Sequence, residues 1–531
     1  MQKLPVGIQS FETIRGDSYV YVDKTDLIFD MVSTGKSYFL YRPRRFGKSL
    51  LVSTFACYFE GRKELFQGLK IAKAEGNKPE KEQWVSYPVI RFSFSGGSYN
   101  SPEGLEDILN NEIKRSAARL LPEGTVIPGE TLPVRFANLI ESLYRFCGKP
   151  VVVLVDEYDK PLLDTMVVNK AQEERNRTLF KNFFSVLKDE VQYLKFVFFT
   201  GVTRFSRISV FSDLNQLRDI SFTDPYSSIC GITEDELQQV FEDEINAMGR
   251  KYNETYDLTV QKLKRMNDGY RFSANGINLY NPFSLMSAFM DLKYGSYWFS
   301  TGTPEFLIKK LNSSRYTPLD FSEGIMAAEE RISDYRAENP DPVPLFYQAG
   351  YLTIVNYNQR LDQYKLAFPN EEVSNGFIHA IYPYYFAQNS DEDFETGKFI
   401  YDLDHGDVDA FMSRLKALFA SVNYPEGAQP YSEHDFQTNL FIIFSMLGKS
   451  VQTEVHSARG RADCIVKDND LIYVFEYKID KPAEEALVQI EEKGYAEKYA
   501  MSDSKVFLIG VSFSTEARNI SDWKYVRKCP A

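Results

Sequence analysis

Short, continuous runs of apolar residues punctuate the first part of the chain, with helical spacing of apolar residues between them. Such runs occur at residues 38–41, 151–155 and 196–199, and residues 89–94 are also predicted to form a strand, although Arg91 and Ser93 interrupt the apolar run. An uninterrupted apolar run is typical of a strand that is buried on both faces, as in a parallel sheet covered by helices. Residues 1–230 are therefore predicted to form an α/β unit with a parallel sheet flanked by helices.

The pattern changes after about residue 231, where helical spacing dominates. Thr233 and Glu236 have the spacing of a capping box, which predicts a helix that starts there and ends near Gly249. We expect a helical lid to follow, and residues 345–370 are predicted to form a small strand pair. A winged-helix-like unit and a plain packing module both fit this pattern.

The last part of the chain carries acidic residues on predicted strands. Asp463 lies in the run 460–466, and Glu476 and Lys478 lie in the run 473–478. Side chains alternate along a strand, so Glu476 and Lys478 are predicted to share a face. Carboxylates bind Mg²⁺ through oxygen, and a nearby lysine can orient water or neutralise charge on a phosphate. This stretch is predicted to be a metal-dependent phosphodiesterase site, with Asp463 and Glu476 as metal ligands.

Helices are predicted on both sides of these strands, at residues 433–447 and 483–500, and a final strand at 505–511. The predicted order is therefore helix, strand, strand, helix, strand. Glu433, near the start of the first helix, is a candidate for the same acidic pocket.

The length of the chain limits the number of domains that it can form. A chain of 531 residues is expected to form about two to four domains. We predict an α/β multidomain protein divided into a P-loop domain, a helical lid with a winged-helix-like region, a helical linker and a nuclease-like domain, at residues 1–230, 231–375, 376–420 and 421–531.

The charge and residue counts restrict the environment and the partners. The net charge of −13 argues against a surface that coats nucleic acid nonspecifically. Four histidines and scattered cysteines make a zinc site improbable and favour a reducing cytoplasm. No signal pattern and no apolar run near the ~18 residues that span a bilayer are present, so a cytoplasmic protein without a membrane partner is expected.

Residues 42–49 have the form of a phosphate-binding loop between a predicted strand and a predicted helix. Gly47 and the backbone amides at the helix start would cradle phosphates, Lys48 would reach the terminal phosphates, and Ser49 would bind Mg²⁺. The standard pattern has a glycine where this chain has Arg42.

Two acids follow the buried strand at 151–155. Asp156 would hold magnesium and Glu157 would polarise the hydrolytic water, although acids at strand ends also cap helices. Thr200, Thr203 or Arg204 would sense the terminal phosphate, or would only hydrogen-bond the turn.

The sequence Asp404-His405-Gly406-Asp407 has the residue types of a metal cluster. A helical pattern begins immediately afterwards, so Asp407 is interpreted as the N-cap of that helix and His405 as a loop residue.

Residues 21–25, 42–49, 155–159 and 200–206 together resemble the bacterial AAA-ATPase-like family, and the last ~110 residues resemble its usual partner, a PD-(D/E)XK nuclease-superfamily domain. In that family an arginine commonly stands at the position of Arg42. The resemblance implies that ATP and Mg²⁺ are the cofactors. It also implies the following site residues: nucleotide contacts at Arg42, Arg44, Arg45, Gly47, Lys48, Ser49, Asp156 and Thr200; catalytic roles for Glu157, Asp463, Glu476, Lys478, Glu433 and Gln489.

These observations favour an ATP-gated nuclease acting on nucleic acid, with DNA favoured over RNA. One alternative is a regulatory, signalling-type ATPase whose C-terminal domain binds nucleic acid or protein without cleavage. Another treats Asp463 and Glu476 as structural acids. The sequence leaves the oligomeric state open, a homo-oligomer included.

Overall fold

The computed structural model describes residues 2–166, 169–204, 216–299, 305–333, 341–386, 396–420, 433–447, 450–457, 460–468, 471–495 and 504–528. The chain forms two compact units. The first comprises residues 1–314 and 324–373, and the second comprises residues 315–323 and 374–531. Among the described residues, no helix has both the length and the apolar character needed to cross a membrane.

The strands are β1 (Ser37–Tyr41), β2 (Val89–Ser93), β3 (Val151–Asp156), β4 (Leu194–Gly201), β5 (Arg218–Asp219), β6 (Ile325–Ala327), β7 (Thr353–Asn358), β8 (Gln363–Ala367), β9 (Ser450–Ser457), β10 (Gly460–Asp468), β11 (Leu471–Ile479), β12 (Lys505–Ser514) and β13 (Asn519–Lys528).

The helices are α1 (Phe11–Gly16), α2 (Thr25–Thr34), α3 (Lys48–Phe59), α4 (Lys70–Gly76), α5 (Gly104–Leu120), α6 (Leu132–Cys147), α7 (Lys160–Met166), α8 (Lys170–Asp189), α9 (Glu234–Val240), α10 (Glu242–Tyr252), α11 (Tyr256–Asn267), α12 (Pro282–Asp291), α13 (Glu305–Asn312), α14 (Pro318–Glu323), α15 (Glu329–Ser333), α16 (Val343–Ala349), α17 (Glu371–Tyr385), α18 (Thr396–His405), α19 (Val408–Phe419), α20 (Glu433–Met446) and α21 (Ala483–Glu492).

The first unit is built on a five-stranded sheet with the order β2-β3-β4-β1-β5. Its neighbouring strands are all parallel. Every residue of β3 is buried, as the continuous apolar run predicts for a central strand. The predicted parallel sheet flanked by helices is confirmed.

Aromatic side chains hold helices against this sheet. Phe136 of α6 stacks on Phe183 of α8 with ring centroids 4.6 Å apart, and Phe92 of β2 meets Phe183 edge to face at 5.4 Å. All three side chains are buried. The high aromatic content of the chain therefore contributes to a packed interior, in which offset and edge-to-face ring pairs are favourable.

The middle of the chain belongs to the same compact unit as the parallel sheet. The predicted capping box at Thr233 and Glu236 is present at the start of α9. The single helix expected up to Gly249 is wrong, because the chain breaks at Phe241 into α9 and α10. Phe241 is fully buried, so a core contact at the junction accompanies the break. The expected strand pair is part of a three-stranded antiparallel sheet with the order β6-β8-β7.

The second unit contains a five-stranded mixed sheet with the order β13-β12-β11-β10-β9. Strands β11 and β12 are parallel, and the other pairs are antiparallel. Helix α21 connects the parallel strands and packs on them. The predicted strand order lacked β9 and β13. The sequence signal for β13 is weak because this edge strand is mostly exposed and polar.

Candidate functional site

The loop between β1 and α3 has the conformation expected of a phosphate-binding loop. Gly47 has φ +89°, a left-handed value that favours glycine, and α3 begins at the next residue. The Lys48 Nζ atom donates to the carbonyls of Arg42 at 2.9 Å and Pro43 at 2.8 Å, so the lysine closes the loop on itself. Burial lowers the pKa of Lys48, while the carboxylates of Asp156 and Glu157 oppose this lowering. The backbone amides at the start of α3 and the Lys48 ammonium together make this end of the helix suited to an anion.

A cavity of about 430 Å³ lies at this loop. Its wall combines cationic and anionic side chains with apolar residues of α12. The lining includes Arg44, Arg45, Gly47, Lys48, Ser49 and Glu157. A smaller, mainly apolar cavity of about 100 Å³ shares Gly47, Leu50, Pro282 and Met286 with it. A charged space joined to an apolar one suits a ligand with a polyanionic part and a planar apolar part.

Asp156 ends β3 next to the phosphate-loop helix. Burial raises its pKa to about 6, and the nearby Ser49 hydroxyl opposes this rise. Its Oδ1 atom is buried without a hydrogen-bond partner in the described part of the chain. An unpaired carboxylate oxygen in a buried position carries a large desolvation cost, which a cation would offset. Asp156 itself is not among the described lining residues of the cavity, whereas Ser49 is.

Glu157 is held in a left-handed backbone conformation, with φ +54°. This conformation is uncommon for a residue with a side chain and concentrates at functional sites. Because Glu157 lines the cavity, its carboxylate is available to a molecule bound there. The sequence indicated the acid but gave no sign of its backbone conformation.

The three candidates at the end of β4 and just after it have different surroundings. The Thr200 Oγ1 atom is buried and lacks a hydrogen-bond partner among the described residues. Thr203 instead donates through its hydroxyl to Asp159 at 2.8 Å, which is the turn contact that the sequence left as an alternative. Arg204 forms an ion pair with Asp219 at 3.0 Å. Of the three, Thr200 therefore retains the unused hydrogen-bonding capacity that a ligand could satisfy.

Arg42 is a correction to the predicted nucleotide contacts. Its side chain is buried and does not line the cavity in the described structure. The guanidinium donates to the carbonyls of Tyr41 and Ser221 at 2.9 Å and lies 4.1 Å from the ring centre of Phe272. Arginine satisfies several carbonyls with its planar fork and stacks on an aromatic face, so Arg42 anchors the phosphate loop to distant segments.

Arg44 and Arg45 are exposed at the cavity, as a phosphate contact requires. The Arg45 guanidinium lies 4.7 Å from the ring centre of Phe283 in α12. The indole Nε1 of Trp298 donates to the Arg44 carbonyl at 3.1 Å. Phe283 and Trp298 were missed from the sequence, because a lone aromatic residue has no local pattern that points to a loop more than 200 positions away.

The second candidate site centres on Glu476 in β11. Its Oε1 atom accepts hydrogen bonds from Lys478, 3.1 Å away, and from the amide of Gln489 in α21. The Gln489 amide also lies 3.4 Å from the Tyr495 hydroxyl. Glu476 is buried, so these donors hold a carboxylate that water cannot fully solvate. The structure thus brings together Glu476, Lys478 and Gln489.

Two other predicted residues of this site have side chains outside the described structure, Asp463 and Glu433. Backbone pairing matches Cys464 of β10 with Phe475 of β11. This is the last pair of the antiparallel ladder, and Asp463 and Glu476 are the residues that come next on the two strands. No group of three or more metal-ligand side chains occurs among the residues the structure describes.

The acidic sequence at 404–407 lies where α18 ends at His405 and α19 begins at Val408, so the interpretation of His405 as a loop residue is wrong. The Asp407 side chain accepts a hydrogen bond from the Ala410 amide at 3.0 Å, and the His405 Nδ1 atom lies 2.8 Å from the Tyr401 carbonyl. The interpretation of Asp407 as the N-cap of α19 is confirmed.

Comparisons with known proteins match the two regions of the chain in which these sites lie. A family model described as "Predicted AAA-ATPase" matches residues 5–211, and a model of the PD-(D/E)XK nuclease superfamily matches residues 431–523. A protein of Azotobacter chroococcum mcd 1, described as an uncharacterized protein in the vnfD 5′ region, is 35% identical to this chain over 531 residues. The alignment covers 98% of each of the two proteins. The chain belongs to the family of AAA-ATPase-like proteins that carry a C-terminal PD-(D/E)XK nuclease-superfamily domain.

Proposed function

We propose that the first unit binds and hydrolyses ATP with Mg²⁺, and that its nucleotide state controls Mg²⁺-dependent cleavage of nucleic acid, with DNA favoured over RNA, by the second unit. The observation that carries the ATPase part is the arrangement of Lys48, Ser49 and Asp156. A lysine at a glycine-containing loop, a hydroxyl at the helix start and a buried carboxylate with an unused oxygen are what a magnesium nucleotide requires.

Each residue of the first site has a defined role in this proposal. Lys48 and the amides after Gly47 neutralise and orient the phosphates, while Arg44 and Arg45 add positive charge at the cavity. Ser49 and Asp156 would hold Mg²⁺, which supplies charge that stabilises the transferring phosphoryl group. Glu157 orients the attacking water, and the Thr200 hydroxyl contacts the terminal phosphate. The adjoining apolar cavity suits the faces of a nucleobase.

The second site uses a buried carboxylate and a paired lysine. Asp463 and Glu476 would hold Mg²⁺, which polarises a phosphodiester and lowers the pKa of a bound water. Gln489 keeps the Glu476 carboxylate in one orientation through its amide. Lys478 orients the water or neutralises charge on the phosphate, and Glu433 extends the acidic pocket.

The ATPase part is tested by nucleotide binding and turnover with purified protein. Lys48→Ala removes the ammonium that closes the loop. ATP affinity is expected to fall at least about tenfold, because one ion-pair contact in a buried site is worth ~1.4 kcal/mol or more. ATP turnover should fall with the affinity. The exposed Lys114 of α5 is the matched control, and Lys114→Ala should behave as wild type. Equal ATP binding by wild type and Lys48→Ala would contradict the proposal.

One observation favours a second candidate, a regulatory ATPase whose C-terminal domain binds without cutting. The chain carries a net charge of −13, whereas a tight nonspecific nuclease usually presents a basic face. Salt-dependent binding of nucleic acid without cleavage in Mg²⁺ or Mn²⁺ would favour this candidate over the first.

A further inference from the structure

Asp159 lies two residues after Glu157 and is almost completely buried. One of its oxygens, Oδ2, accepts three hydrogen bonds, from the Val202 amide at 2.9 Å, the Thr203 amide at 2.6 Å and the Thr203 hydroxyl at 2.8 Å. All three donors lie in the segment that follows β4. The carboxylate therefore joins the end of β3 to the end of β4.

Further contacts strengthen the same connection. The Tyr158 amide donates to the Thr200 carbonyl at 3.1 Å, and the Tyr158 hydroxyl donates to the Thr203 carbonyl at 3.0 Å. A β-carbon added at Gly201 would lie 2.5 Å from the Asp159 Oδ1 atom. Only a glycine allows this close approach of the carboxylate to the β4 backbone.

The two segments joined in this way carry the proposed hydrolytic residues. Glu157 has its left-handed backbone between β3 and Asp159, and such a conformation persists only where surrounding contacts hold it. Thr200 lies immediately before Gly201, and its buried hydroxyl has no partner among the described residues. Asp159 is thus placed to fix the distance between the strand end with Glu157 and the strand end with Thr200.

Burying a carboxylate at this position costs free energy. A charged side chain is therefore expected here only if it performs a role that a neutral side chain performs less well. Burial raises the pKa of Asp159, and the hydrogen bonds from Thr203 and the charge of Lys48 oppose the rise. Hydrogen bonds to a charged acceptor are shorter and stronger than bonds to a neutral one. The charged form therefore holds the Val202–Thr203 backbone more rigidly than an amide would.

We propose that Asp159 is a positioning residue for ATP hydrolysis. It ties the Val202–Thr203 segment to the end of β3 and so keeps Glu157 and Thr200 at a fixed distance from each other. This inference rests on the proposed ATPase function. Asp159 acts through its neighbours, so its loss is expected to lower kcat while ATP affinity is kept.

The experiment measures four quantities on the full chain: kcat for ATP, the Kd for ATP, amide hydrogen exchange at residues 202–203, and thermal unfolding. Asp159→Asn should lower kcat at least about tenfold and speed amide exchange, with Kd changed less than about threefold, as for an interaction made only in the transition state. Thr203→Val should have the same effects in weaker form. Thr203→Ser, which keeps the hydroxyl, should restore the wild-type values.

Glu75 supplies a matched control away from the cavity. It is also a buried carboxylate in the first unit, and it accepts hydrogen bonds from the Tyr58 hydroxyl, the Lys78 ammonium and the Trp84 amide. Glu75→Gln should lower the melting temperature and leave the kcat of the folded protein unchanged.

Three results would overturn the inference: unchanged kcat in Asp159→Asn, a loss of kcat no larger than that of Glu75→Gln, or unchanged exchange at residues 202–203. If wild type binds and hydrolyses ATP and the Asp159→Asn and Thr203→Val variants have the same kcat, the inference alone is rejected. Wild-type protein without ATP turnover rejects the proposed function, and the positioning role with it.

Discussion

Arg42 and Arg44 stand two positions apart in the phosphate loop, and their surroundings give them different roles. Arg42 is buried, and its guanidinium donates to carbonyls of β1 and of the segment after β5. Arg44 is exposed at the cavity. The loop pattern in the sequence was sufficient to predict Gly47, Lys48 and Ser49. It could not separate the two arginines, because the Ser221 carbonyl that accepts from Arg42 lies 179 positions away.

This difference predicts opposite outcomes for two conservative replacements. Arg42→Lys loses the planar fork and leaves buried carbonyls unpaired, so the unfolding free energy should fall by about 2–4 kcal/mol. Arg44→Lys should change stability by less than about 0.5 kcal/mol, as at most exposed positions, and should weaken ATP binding. Urea unfolding and equilibrium ATP binding measure the two effects. A stable Arg42→Lys protein with weakened ATP binding would show that Arg42 contacts the nucleotide after all.

Asp268, directly after α11, predicts a pH dependence of stability. Its Oδ1 atom is buried without a hydrogen-bond partner in the described structure, and burial raises its pKa to about 6. An aspartate in an unfolded chain has a pKa of about 3.9. Between about pH 4 and pH 6 the folded protein therefore holds a proton that the unfolded chain releases, so this group makes the unfolding free energy fall as the pH rises through that window.

Asp268→Asn removes this contribution. At pH 7 the variant should be more stable than wild type by about 1–2 kcal/mol, with the difference shrinking toward zero near pH 4. Urea unfolding of both proteins at several pH values measures the difference directly. A difference between the two proteins that does not vary with pH would contradict the assignment.

Among the elements, α9 shows what local sequence can and cannot predict. The capping box at its start depends only on residues three positions apart, and the sequence predicted it. The break at Phe241 depends on burial of that side chain in a core of distant residues, such as Phe289 of α12. Similarly, β13 is stabilised by its pairing with β12 and has little apolar alternation of its own.

The cap of α9 provides a quantitative test at this scale. The Thr233 hydroxyl accepts from the Glu236 amide, and the Glu236 carboxylate accepts from the Thr233 amide and from Lys24. Thr233→Ala should lower the unfolding free energy by about 1 kcal/mol, whereas Thr233→Ser, which keeps the acceptor, should cost only a few tenths. Equal losses in both variants would show that the methyl group of Thr233, rather than the cap, is responsible.

For the whole molecule, the sequence predicted both the AAA-ATPase-like domain and the nuclease-superfamily domain. Each has a local signature: a glycine-lysine-serine loop after a strand in the first, and an acid followed by Glu-x-Lys on adjoining strands in the second. The connections that hold each site together were not predictable. Asp159 reaches the segment after β4, and Trp298 reaches the phosphate loop, through contacts that span 43 to 254 positions. Such contacts leave no periodic trace in the sequence.

The control of cleavage by nucleotide is the central claim, and nicking of supercoiled DNA in Mg²⁺ with and without ATP tests it most directly. Wild type should nick the DNA, with a rate that changes on addition of ATP. Glu476→Gln should abolish nicking, because it removes the metal-binding charge, and should leave ATP binding intact. The Lys48→Ala variant should nick the DNA at the same rate with and without ATP. Nicking that persists in Glu476→Gln, or an ATP response that persists in Lys48→Ala, would contradict the account.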